Sequence, residues 1–335
     1  MSEQRETHPA APRRRVLVTA LGTAAAATVL SAGPAAARDA GGGLPGSAVI
    51  LDHDVDVARA TPRVVRLLAG YFRDKTARDA DATMAHFARR TAYVDATLGW
   101  PFYTWQDLSD LFHQLMPTWP ATARSYPTKI LGDADSALVF FTDTPELFGH
   151  EIRPMGLVNF KDGRIARWVD YWDGREFTLA GIEAERTPAD QFPADFKEGT
   201  VGETAAPAIK RVAASVSAAF ARGDVAAVAR LFTADGVLED LTTHTKVTGH
   251  LALGSYLGRA ITRLPYGPGA NVRHVVGSSA GGGYEWTNPT GPVPRGAAAL
   301  ELDRAGLITH LTAVWDGSLL PHTALAELQS LTIES

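Results

Sequence analysis

The sequence predicts an α+β chain in which one small domain occurs twice. Two observations carry this expectation. The first is an internal repeat. At an offset of 145 residues, Asp79 falls on Asp224, Phe87 on Phe232, Asp95 on Asp240, Thr97 on Thr242, Leu108 on Leu253, Pro120 on Pro265 and Gly132 on Gly277. At an offset of 143, Gly163-Arg164-Ile165 meets Gly306-Leu307-Ile308, and Trp172-Asp173-Gly174 meets Trp315-Asp316-Gly317. A conserved order with so few gaps marks a duplication, and two copies are too few for a solenoid. The second observation is the order of patterns within each half. Helical periodicity comes first and strand alternation second, which argues for helices packed on one face of an antiparallel sheet.

The elements follow in order. Arg13-Arg14-Arg15 precedes an uncharged apolar stretch from Val16 to about Ser31, and Ala35-Ala36-Ala37 supplies small residues for cleavage. Residues 1–37 therefore read as a signal peptide, and the arginine pair resembles a twin-arginine signal. The segment is slightly short for a membrane span. A secreted chain with no membrane insertion after cleavage is the expectation. Residues 38–60 are rich in Gly, Ala and Asp and read as a disordered leader. The first domain is expected over 61–185. Thr61 and Pro62 can open a helix bearing Val64, Val65, Leu67, Leu68 and Phe72 at helical spacing. Asp79 starts a second short helix ending at Phe87, Tyr93 to Asp95 is a strand, and Thr104 starts a third helix. Strands are expected at about 126–131, 137–142 and 155–161. The last runs from Ile165 to Trp172, after the Asp162-Gly163 turn. Residues 186–206, with Pro188 and Pro193, read as a linker, and 207–335 as the second domain.

Composition narrows the function classes. The hydrophobic fraction of 45% supports two packed cores, and the absence of cysteine excludes disulfides and thiolate metal sites. A net charge of −5, with no basic run after the signal, disfavours nucleic-acid binding. The scattered histidines lack metal-ligand spacing and there is no Gly-rich phosphate loop, so neither metal nor cofactor is expected.

Helix-helix-strand-helix followed by a curled sheet resembles the SnoaL-like/NTF2-like superfamily. His86-Phe87 before Tyr93-Val94-Asp95 carries part of the resemblance. The run from Asp162 to Asp173 is similar to the closing strand of limonene-epoxide hydrolases, and Gly236-Val237-Leu238-Glu239-Asp240 is similar to a strand of ketosteroid isomerases. The resemblance implies two tandem cone-shaped barrels, each of three helices on a curved antiparallel sheet, which could pack as a pseudo-dimer. It also implies a cofactor-free acid/base enzyme acting on an apolar small molecule, such as a polyketide or terpenoid. Cyclisation, epoxide opening and isomerisation are the reaction types. A non-catalytic binding protein of the same fold is the alternative, since one fold hosts many functions.

Inward-pointing carboxylates are the candidates, because burial raises a carboxyl pKa toward the working range of a general acid or base. Alternation puts Trp168, Asp170 and Trp172 on one strand face and Arg167, Val169 and Tyr171 on the other. Asp170 is thus either a pocket carboxylate or a solvated one. Asp95, with Tyr93 two residues before it, is either a catalytic group or a strand-end Asp that satisfies turn amides. Asp143 is the third candidate. The hydrolases pair it with an Arg two residues earlier, and here that position is Phe141. Arg153, from the next strand, could substitute for it. Trp168, Trp172, Phe141, Trp105 and Phe112 are expected to line the ligand site. In the second half Ala313 stands against Asp170 and Asn288 against Asp143. The working site is therefore expected in the first domain.

Overall fold

The structure is a computed structural model. It describes residues 46–333 apart from 193–195, 197 and 200. The expected signal peptide, the first part of the leader and part of the linker lie outside the described residues.

The first half opens with β1 (Ser47–Ile50) and β2 (His53–Ala60), which pair antiparallel. This corrects the disordered leader expected up to residue 60. The low-complexity stretch before Gly46 obscured a hairpin of Val49, Val55 and Val57 around a tight Leu51-Asp52 turn. Both turn residues have positive φ, 51° and 63°, the handedness that two-residue hairpin loops require. Helix α1 (Pro62–Thr76) begins at the predicted proline. Helix α2 (Ala80–Ala85) is capped by Asp79, whose carboxylate accepts from the Ala82 N–H at 2.9 Å. Phe87 is not its last residue, as expected, but the first of β3 (Phe87–Asp95). There follow β4 (Trp100–Phe102), α3 (Trp105–Leu115), β5 (Ser125–Gly132), β6 (Ser136–Asp143), α4 (Pro145–Phe148), β7 (Met155–Lys161), β8 (Arg164–Tyr171) and α5 (Leu179–Glu185). The second half runs α6 (Pro207–Ala221), α7 (Val225–Arg230), β9 (Phe232–Asp240), β10 (Thr245–Thr248), α8 (His250–Ala260), β11 (Asn271–Gly277), β12 (Gly281–Thr287), β13 (Arg295–Leu302), β14 (Ile308–Trp315) and α9 (His322–Ser330).

These strands form two sheets in a mixed α+β architecture. The first has the order β1-β2-β5-β6-β7-β8-β3-β4 and the second β10-β9-β14-β13-β12-β11. Read from opposite ends the two orders match, with the β1–β2 hairpin added to the first. The sheets are mixed rather than antiparallel as expected. β3 runs parallel to β8, β9 to β14 and β2 to β5. Each of these pairs is joined through intervening helices and strands, and such crossovers bring strands back in the same direction.

One face of each sheet is covered by helices. Under α1 to α3, Val64, Leu68, Phe72, Phe87 and Trp168 are buried together. Under α6 to α8, Ile209, Val216, Phe220, Phe232 and Leu311 are. Phe87 and Phe232, matched by the repeat, are 0% and 1% exposed. Truncating either to Ala is expected to cost about 3–5 kcal/mol, read as a shift in the urea midpoint. A loss well under ~1 kcal/mol at both would break the equivalence of the halves.

The opposite faces pack against each other within the compact unit Gly42–Ser335. Leu131, Leu138 and Val169 meet Val276, Ala297 and Val314 there. Several contacts come in reciprocal pairs. The Gly174 N–H donates to Asp316 and the Gly317 N–H to Asp173, both at 3.1 Å. Lys129 donates to Glu301, and His274 meets Asn159 at 2.8 Å. Gly132 and Gly277, both at positive φ, approach so closely that a Cβ on Gly132 would lie 3.2 Å from the Gly277 Cα. At the centre, Arg167 makes two bonds to Glu285, at 2.6 and 2.9 Å, and Arg273 bonds the same carboxylate at 2.7 Å. The two guanidinium groups hold Glu285 down to about 2 against the effect of burial. The segment expected as a linker takes part: Phe192 and Phe196 are buried between the sheets and Glu198 pairs with Arg167.

Candidate active site

The helix-covered face of the first sheet carries a polar cluster inside an apolar setting. β3 lies parallel to β8 in a register that sets Tyr93 beside Trp168 and Asp95 beside Asp170. Strand alternation turns Trp168 and Asp170 toward the helices. Arg167, Val169 and Tyr171 turn toward the second sheet, where Arg167 and Tyr171 bond Glu285. Asp170 is 3% exposed. The Trp168 indole N–H donates to its Oδ1 and the Tyr93 hydroxyl to its Oδ2, both at 2.5 Å. Burial pushes its carboxyl up to about 7. The Tyr93 and Trp168 donors and the Lys75 charge pull the other way, while the Asp95 charge adds to the rise. Gly156 lies opposite Asp170 on β7. A Cβ there would come within 2.8 Å of the Trp168 indole nitrogen and 3.0 Å of Asp170, so only glycine leaves room for this pair.

Asp143, also 3% exposed, lies at the end of β6. Both its oxygens accept from the Lys75 ammonium at 3.1 Å. Arg153 plays no part there: its side chain is 70% exposed and pairs with Glu151. The cation comes instead from α1, where Lys75 extends the apolar stripe of Val64, Leu68, Tyr71 and Phe72. Sequence reasoning missed Lys75. The signal was a lysine at the i+4 position from Tyr71 on a buried face, matched in the second half by Phe220. Its ammonium sits 5.3 Å from the Phe141 ring centre, and Phe141 lies 6.0 Å from Trp168. Tyr71 packs 4.9 Å from Trp168. Burial and the charges of Asp170 and Asp143 push its hydroxyl well above its ordinary range.

Asp95 is engaged by its turn. Its Oδ1 accepts from the Thr97 and Leu98 N–H groups at 3.0 and 2.8 Å, and its Oδ2 from the Trp172 indole at 3.0 Å. Burial still pushes it up to about 6, against these three bonds. The same clasp recurs in the second half. There Asp240 accepts from the Thr243 N–H at 2.9 Å and from the Trp315 indole at 3.0 Å. Asp95 and Asp240 thus both accept N–H groups of the turn that follows their strand, as the second of the two alternatives describes. Trp172 thus sits with Leu98, Ile152 and Ile182 rather than beside Trp168. Phe112 packs on Phe87 within the core, and Trp105 lies at its edge, bonded to the Met84 carbonyl and covered by Arg89.

The second half lacks the polar cluster position by position. Phe220 stands for Lys75, Leu238 for Tyr93, Asn288 for Asp143, Leu311 for Trp168 and Ala313 for Asp170. Opposite Ala313 on β13 is Ala298, so the space kept by Gly156 is not kept there. Asp240 gains instead a bond from the Tyr266 hydroxyl at 3.1 Å. Glu239 points the other way, to His310. Among the described residues no group of three or more His, Asp or Glu side chains is placed to hold a metal, and no helix is long and apolar enough to cross a membrane.

Comparison with known proteins finds similar structures but no matching family model and no matching curated protein. An NTF2-like protein of unknown function from Burkholderia xenovorans is 14% identical, with a TM-score of 0.29. It covers 33% of this chain and 82% of its own. A candidate ketosteroid isomerase from Kribbella flavida is 21% identical, with a TM-score of 0.29, covering 40% of this chain and 96% of its own. An epoxide hydrolase from M. tuberculosis, of the limonene-epoxide-hydrolase-like type, is 18% identical, with a TM-score of 0.30, covering 37% and 92%.

Proposed function

We propose that the chain is a cofactor-free acid/base enzyme acting on an apolar small molecule, with its working site in the first half. One observation carries the reading: a buried carboxylate, Asp170, held by Tyr93 and Trp168 and within reach of the charge of Lys75, itself buried and paired with Asp143. The matching positions of the second half are apolar or amide. A structural polar network needed by the fold would be kept in both halves, as the Asp95 and Asp240 clasps are. A carboxyl near 7 takes up and releases a proton at neutral pH, which suits a general base. Asp170 would remove a proton from a water or from a carbon acid. The Lys75 ammonium would stabilise the negative oxygen that develops when an epoxide opens or an enolate forms. The aromatic surroundings fit a terpenoid or polyketide substrate. We read the two halves as tandem copies of one barrel-like domain packed as a pseudo-dimer, and the N-terminal segment as a twin-arginine export signal.

The test is turnover by the purified mature chain of two probe sets. Limonene epoxide would be followed as diol by chromatography, and a β,γ-unsaturated cyclohexenone as conjugated enone by absorbance. Catalysed conversion of one set is expected. Saturable binding of both with no conversion of either would favour a binding protein.

A further inference from the structure

The Ser125 side chain is 0% exposed, and its hydroxyl has no hydrogen-bond partner among the described residues. Orphaned buried hydroxyls are uncommon and cost free energy, so each calls for a reason. Its position supplies one. Ser125 lies directly opposite Asp143 in the β5–β6 register, and Pro127 opposite Phe141, so Ser125 shares the strand face of Asp143 and Phe141. Helix α1 meets it at the same place. Thr76, next to Lys75, takes both backbone groups of Ser125: its hydroxyl donates to the Ser125 carbonyl at 2.7 Å and accepts from the N–H at 3.0 Å. Those bonds fix the backbone and leave the side chain unused. An ammonium has three N–H donors, and the two bonds from Lys75 to Asp143 account for two of them. Ser125 thus lies at the Lys75–Asp143 end of the cluster, on the strand face that carries Phe141, whose ring packs 6.0 Å from Trp168.

We infer that Ser125, next to the Lys75–Asp143 pair, forms an anchoring subsite for a neutral oxygen of the ligand, a carbonyl or hydroxyl, set apart from the oxygen that Lys75 stabilises in the reaction. The inference rests on the proposed site and deepens it. The substrate class becomes an apolar molecule with two oxygen functions, one processed and one held. The second half agrees, because Ala270 occupies the position of Ser125 and Phe220 that of Lys75, so donor and cation are lost together.

The experiment compares 1-tetralone with tetralin, which share a ring skeleton and differ in one carbonyl. Binding is read by quenching of tryptophan fluorescence in the intact mature chain. The wild type is expected to prefer the ketone about tenfold, the size of one well-placed hydrogen bond. Ser125→Ala should remove most of that preference by weakening the ketone alone. The fold accepts alanine at the matching position, and Ser125→Cys keeps the volume if alanine proves unstable. Equal binding of the two probes, or equal weakening of both by Ser125→Ala, would overturn the anchor and leave the site standing. If neither probe binds the wild type, the small-molecule reading falls and takes the anchor with it.

Discussion

An Asp170→Asn variant is expected to lose about a hundredfold or more in turnover, the size of a lost general base, while folding normally. Asn has the same shape and keeps one acceptor, and the Tyr93 hydroxyl can rotate to accept from the new amide. The pH dependence gives the sharper readout. With the Asp170 carboxyl near 7, the basic carboxylate form grows as pH rises, so the wild-type rate should climb through about pH 7 and then level. Stability should run the other way. An unfolded Asp titrates near ~3.9, so between about 4 and 7 the native state holds a proton that the unfolded state has released. The stabilisation from this group is present below about 4 and is lost as pH rises through 7. Urea midpoints taken at pH 5 and pH 8 should therefore fall more in the wild type than in Asp170→Asn. Undiminished turnover would remove Asp170 from the chemistry. A stability slope of opposite sign would mean the carboxyl is not raised.

The face of Asp170 was legible in the sequence because strand alternation is local: Trp168 and Asp170 share a parity, and Arg167 and Tyr171 have the other. The loss of the site from the second half was legible for a related reason, since the repeat aligns Asp170 with Ala313 and Asp143 with Asn288 without any coordinates. What could not be read was contact across elements. Lys75 and Asp143 are 68 residues apart, and only the packing of α1 over β6 joins them. Local spacing displays only the neighbouring strand positions, Phe141 and Arg153, and neither supplies the cation. Asp95 resisted for the opposite reason. A carboxylate two residues after a tyrosine on an inner face reads as a catalyst, while the bonds that tie it to its turn come from Thr97, Leu98 and a tryptophan 77 residues away. The β1–β2 hairpin was hidden by composition, with glycine and alanine just before it outweighing three valines.

The Lys75–Asp143 pair should give the largest stability effect of any single change at the site. Both side chains are almost wholly buried, 7% and 4% exposed. A Lys75→Met variant keeps most of the aliphatic packing and removes the charge, leaving the Asp143 carboxylate buried without its cation. Breaking such a pair from one side costs about 3–5 kcal/mol. Replacing both partners is different, because a buried pair exchanged for well-packed neutral groups is often close to neutral in stability. The chain contains that exchange already, with Phe220 and Asn288 at the matching positions, where the Asn288 amide donates to the Pro265 and Pro268 carbonyls at 3.1 and 3.2 Å. The double variant Lys75→Met/Asp143→Asn should accordingly regain most of what Lys75→Met loses, a coupling of roughly 2 kcal/mol or more in a double-mutant cycle. Turnover should not return with it, since the ammonium that stabilises the developing oxygen charge is gone. Urea denaturation of the four proteins and the epoxide assay on each decide the matter. Additive losses, with the double variant weaker than either single one, would mean the two side chains do not act as a pair. Recovery of turnover along with stability would make Lys75 a structural counter-ion with no part in the reaction.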